Sequence, residues 1–149
     1  MRIDFYRLTG APVYKAIPFL VEKAYESANK IFILVKSQED ANALDGALWS
    51  FRQAAFIPHD VAGEGDEDRQ PVLIGTDAGD ARGAPFFFIA GASPSLPSYA
   101  CDRVFFMFDG EDASALQEAR EFWKKCGNGM AEKHYWSRDE KGKWQETAL

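Results

Sequence analysis

Leu116, Arg120, Trp123 and Lys124 recur at intervals of three and four residues, the spacing that gathers side chains onto one side of a helix. Together they have usable chemistry. A guanidinium holds a carboxylate through two parallel hydrogen bonds, and an indole beside it supplies an apolar wall for another ring. The same spacing also suits a Trp packed into a core with an Arg on a solvated edge, and spacing alone leaves both readings open. A second set is Trp49, Phe56 and Pro58, a helix-end Trp followed by Phe-x-Pro. Large aromatics dominate the binding energy of interfaces. The alternative is that Trp49 and Phe56 pack a turn onto the helix.

Recognisable catalytic patterns are missing. Gly63-Glu64-Gly65 is followed by Asp66-Glu67-Asp68, where a dinucleotide loop would carry a third glycine and where acidic groups repel phosphate. No Gly-Lys-Ser/Thr phosphate loop is present, and no Gly-x-Ser-x-Gly elbow. His59 and His134 are the only histidines, and neither joins a zinc-type cluster. Asp66, Glu67 and Asp68 lack the spacing of a calcium loop. We therefore expect no catalytic residue, no metal and no cofactor.

The bulk properties agree with a binding role. The 149 residues favour one domain over 1–149, with a core that needs no disulfide or metal. Cys101 and Cys126 form no redox or metal spacing and read as two buried free thiols. The formal charge of -6 disfavours the whole surface as a DNA-binding face, although residues 120–149 hold seven basic against five acidic side chains. No apolar run approaches the ~20 residues that span a bilayer, and Met1-Arg2-Ile3-Asp4-Phe5 lacks a signal-peptide layout. These features lead us to expect a cytoplasmic protein without membrane contact.

The elements that must position these residues alternate between strand and helix. Arg2 to Leu8 reads as a strand, Tyr14 to Asn29 as a helix despite Pro18, and Ile31 to Val35 as a strand covered on both faces. Ser37 caps a second helix that runs to about Phe51. Phe56 to Gly65 is a short extended segment and turn. Val72-Leu73-Ile74, Phe86 to Ile89 and Val104 to Phe108 are further strands. Gly75 to Pro85 reads as loop, and Ala92 to Tyr99 as a loop or short helix. Asp112 to Cys126 is a helix with acids first and lysines last, as the helix dipole prefers. Residues 133–145 read as a hairpin. The pattern predicts a three-layer α/β domain: a mainly parallel five-stranded sheet, extended at its edge by the C-terminal hairpin.

One string is more specific. Leu44-Asp45-Gly46-Ala47-Leu48-Trp49, then Phe56-Ile57-Pro58-His59, Gly63-Glu64-Gly65 and Pro71-Val72 resemble the chi subunit family of bacterial DNA polymerase III. Asp4-Phe5-Tyr6 and Ala119-Arg120-Glu121-Phe122-Trp123 fit the same pattern. The resemblance covers most of the chain, and is looser over 75–99 and after 127. It implies a Rossmann-like sheet without a nucleotide site, and a non-catalytic accessory subunit that links the clamp loader to single-stranded DNA-binding protein. It assigns Arg120, Trp123, Leu116 and Lys124 to a pocket for that protein's acidic C-terminal tail, which ends in Pro-Phe. It assigns Trp49, Phe56 and Pro58 to a surface for the psi subunit or an equivalent clamp-loader partner. DNA would be contacted mainly indirectly. The family commonly has Tyr at the position of Trp123 and can have a basic residue at that of Leu116, so apolar contact would carry more of the affinity here. Strand–helix alternation alone would also suit a nucleotide- or small-molecule-binding enzyme on a doubly wound fold, an analogy with little weight for function. A third reading is direct single-stranded DNA binding by Lys133, Tyr135, Trp136, Arg138, Lys141, Lys143 and Trp144.

Overall fold

The apolar run Ile31–Val35 is buried at all five positions, as a strand covered on both faces must be, and the rest of the chain is arranged around it. The computed structural model describes residues 1–9, 13–25, 30–50, 59–61, 72–127, 132–138 and 143–147, without the side chains of 13–15, 49–50 and 59–60. In chain order the elements are β1 (Arg2–Leu8), α1 (Val13–Tyr25), β2 (Ile31–Val35), α2 (Gln38–Ser50), β3 (His59–Val61), β4 (Val72–Gly75), β5 (Phe86–Ala90), β6 (Arg103–Asp109), α3 (Ala113–Lys125), β7 (Glu132–Arg138) and β8 (Trp144–Thr147). They form one eight-stranded sheet in the order β3-β4-β2-β5-β6-β1-β7-β8. Every pairing is parallel except β7 with β8.

Period-two alternation sends the strand side chains into two cores. On one face Ile17, Leu20 and Val21 of α1, with Ala41, Leu44 and Leu48 of α2, pack on Ile33, Val35, Ile74, Phe88 and Met107. On the other, Ala119 and Phe122 of α3 pack on Phe5, Phe32, Phe87, Phe106 and Tyr135. Three layers result, as the sequence pattern predicts. Ser37 caps α2, its hydroxyl accepting from the Asp40 amide at 3.2 Å. Cys101 and Cys126 are free and buried.

The structure refines the expectation in four places. The three-residue strand β3 adds an edge beside β4; so short a segment carries no readable period. The hairpin does extend the sheet, but its first strand runs parallel to β1, because the α3 crossover returns the chain to the sheet in the original direction. Within 75–85, Gly75 ends β4 and Ala78–Ala81 form a 3-10 turn. Asp77 caps that turn through the Gly79 amide at 2.8 Å, and Arg82 and Gly83 close it at positive φ. Residues 92–98 adopt no regular structure, leaving the loop reading for Ala92 to Tyr99. The expected extension of α1 to Asn29 and of α2 to Phe51 lies outside the described residues.

One buried charge ties β7 to this frame. Asp4 has no exposed surface. Its carboxylate accepts from Arg2 Nη2 at 3.0 Å, Arg103 Nε at 2.8 Å and Trp136 Nε1 at 3.0 Å, so β1, β6 and β7 meet on one group. Burial alone would raise its pKa. The hydrogen bonds from Arg2, Arg103 and Trp136 together outweigh burial and hold the carboxyl below its ordinary range.

Candidate functional site

Helix α3 is fixed at both ends by its own sequence. Asp112 accepts from the Ser114 amide at 2.9 Å, and Lys124 and Lys125 occupy the last turn. Ala119 and Phe122 point into the core. With about 100° between successive residues, Leu116 and Trp123 fall on one flank of that buried stripe, Arg120 further out, and Lys124 nearly opposite the core. The burial follows this order. Leu116 and Trp123 are partly buried against the sheet, whereas Arg120 and Lys124 are exposed.

Trp123 thus lies between core and surface. The indole packs on Phe5, with ring centroids 5.0 Å apart and planes inclined at 68°. The ring is nevertheless only partly buried, beside the exposed Arg120. Leu116 continues the apolar strip along the helix. Lys124 stands at the margin and contributes charge to the rim. The arrangement can hold an apolar ring against an indole and a carboxylate against a guanidinium. Among the described residues no group of three His, Cys, Asp or Glu side chains could hold a metal ion.

Spacing on α3 alone does not reveal Lys133. This residue lies on β7, opposite Ile3 of β1, and reaches across to α3. Its Nζ donates to the Trp123 carbonyl at 3.0 Å and sits 4.5 Å from the centre of the Trp123 ring. The alternation of β7 is the signal that could have found it: Tyr135 turns to the α3 side, and Lys133, two residues before, must turn the same way. The same alternation divides the basic aromatic set that suggested a DNA-binding face. Tyr135 is buried on the α3 side, while Trp136 and Trp144 pack against the opposite core. Lys141 lies outside the described residues.

The other flank of α3 borders a cavity of about 200 Å³ lined by Ser93, Pro94, Glu118, Glu121, Phe122 and Lys125. Two carboxylates on its wall make it a poor receptor for an acidic peptide. Of the second predicted surface, Trp49 lies in the last turn of α2 with its side chain outside the described residues, and Phe56 and Pro58 lie wholly outside them.

Comparison with known proteins gives this geometry its context. Residues 1–131 match the family model described as DNA polymerase III chi subunit, HolC. The chain belongs to the chi subunit family. It is 36% identical over 77 residues to DNA polymerase III subunit chi of Pseudomonas aeruginosa, covering 50% of this chain and 53% of that one. It is 33% identical over 55 residues to subunit chi of Escherichia coli, covering 37% of each. The matched stretches thus span about half, or less, of these relatives' own length. The C-terminal domain of the DEAD-box protein Dbp5 superposes with a TM-score of 0.62 over 90% of this chain and 89% of that one, at 15% identity. That likeness concerns the fold alone, and it agrees with the Rossmann-like arrangement expected for a chi protein. Among the described residues no helix is long and apolar enough to cross a membrane.

Proposed function

We propose that this chi-family chain is a non-catalytic, cytoplasmic accessory subunit of DNA polymerase III in DNA replication. It joins the clamp loader, through psi or an equivalent partner, to the C-terminal tail of single-stranded DNA-binding protein, and touches DNA mainly through that protein. The observation that carries this reading is Trp123: partly buried, its indole packed on Phe5 and flanked by an exposed Arg120. A terminal Phe ring would lie on the indole and the terminal carboxylate on the guanidinium. The excess of basic residues after 119 would draw the acidic tail inward.

Calorimetric titration with a peptide copying the tail, Pro-Phe included, tests this. We expect a dissociation constant on the order of micromolar, about 8 kcal/mol, that weakens with salt and is lost when the final Phe is removed. Unchanged binding without that Phe would reject the site. The psi surface is carried by family membership and by the sequence pattern of Trp49, Phe56 and Pro58. Phe56→Ala should abolish co-purification with psi while leaving the peptide titration intact; full retention of psi would reject that surface.

A further inference from the structure

Lys133 is placed for more than packing. It stands on the strand beside α3, with its ammonium over the Trp123 ring. Its ammonium has three donors. One is spent on the Trp123 carbonyl at 3.0 Å, a group near the end of α3 where helix carbonyls lack internal partners. Among the described residues no carboxylate lies within ion-pair distance of it. Its strand is anchored at both ends of the interaction: the Glu132 amide donates to the Met1 carbonyl at 3.0 Å, and Trp136 donates to buried Asp4. A partly buried cation that has no carboxylate partner among the described residues, 4.5 Å from the ring that would receive the ligand, is a recognition element.

We propose that Lys133 is the second cation of the peptide site. The site is then a cleft between α3 and β7, not one face of a helix, and it selects an acidic peptide with an apolar terminal residue. Arg120 holds the terminal carboxylate, Trp123 the terminal ring, and Lys133 an upstream Asp or Glu side chain. This inference rests on the tail-binding reading above.

A double-mutant cycle separates the two. Lys133→Gln keeps a donor for the Trp123 carbonyl but removes the charge, and Lys133→Arg keeps the charge. Each is titrated with the acidic tail peptide and with a version whose Asp and Glu residues are replaced by Asn and Gln. We expect Lys133→Gln to bind the acidic peptide about fivefold more weakly at low salt, the scale of a partly exposed ion pair. It should bind the neutral peptide as the wild type does, and Lys133→Arg should recover most of the loss. Equal losses for both peptides would mean that Lys133 only braces Trp123, and would overturn the inference. So would unchanged binding by Lys133→Gln when Arg120→Ala has lost it, which would leave the tail reading intact. Failure of the wild type to bind either peptide would overturn both.

Discussion

Strand β7 has two faces with opposite uses. Toward the α1–α2 side, Trp136 closes a network in which a fully buried carboxylate is satisfied by two guanidinium groups and an indole. Toward the α3 side, Lys133 meets a half-buried indole with only part of its bonding capacity used. The first face is finished. Both carboxylate oxygens of Asp4 have partners, and the charge serves to fix β1, β6 and β7 relative to one another. The second differs: among the described residues no carboxylate lies within ion-pair distance of Lys133, and on the proposed reading a ligand supplies it. Three residues apart along one strand, and so on opposite faces of it, Trp136 takes part in a closed network and Lys133 stands beside a partly buried ring.

The largest expected effect breaks the finished face. Asp4→Asn leaves Arg2 and Arg103 facing a neutral amide that cannot accept from all three donors. Removing one partner of a buried ion pair costs about 3–5 kcal/mol, and the arginines here remain 36% and 30% exposed, so a loss of roughly 2 kcal/mol in urea unfolding is expected. If β7 is positioned by this network, peptide affinity should fall as well. Undiminished stability would contradict the structural role of the network.

A smaller effect sharpens the contrast at the rim of the same face. His134 lies between Glu132, 2.9 Å from Nε2, and Glu146, beside Nδ1. Hydrogen bonding to Glu132 first, then to Glu146, raises the imidazole above its ordinary value. Hydrogen bonding to His134 in turn lowers Glu132. A raised histidine contributes stability below its unfolded value of about 6.5 and loses it as pH rises through the higher folded value. A lowered glutamate contributes above about 4.3 and loses it as pH falls through the folded value. The cluster should therefore support the β7–β8 pair most in mildly acidic solution. Urea midpoints between pH 6 and 8 should decline slightly more in the wild type than in His134→Gln; parallel profiles would show that the cluster is energetically idle.

Much of this is legible in the sequence. The uniform burial of β2 follows from Ile31-Phe32-Ile33-Leu34-Val35, the cap of α2 from Ser37, and the shared flank of Leu116 and Trp123 from helical spacing. What was not legible depends on residues distant in sequence. Asp4 reads as one acid in an apolar strand, and its burial is possible only because Arg103 and Trp136 arrive from 99 and 132 residues away. Lys133 reads as one charge in a basic tail until the parallel register of β7 with β1 sets it against Trp123. The half-burial of Trp123 likewise needs Phe5 beneath it. Local pattern specifies elements, whereas the site is made by their juxtaposition.

The central claim is that the Arg120 face of α3 exists for binding and not for folding. Arg120→Ala tests it most directly when affinity for the tail peptide and thermal stability are measured on the same protein. Arg120 is exposed, so stability should change by no more than about 0.5 kcal/mol, while affinity falls at least about tenfold, about 1.4 kcal/mol. Unchanged affinity, or a loss of affinity that merely tracks a loss of stability, would contradict the account.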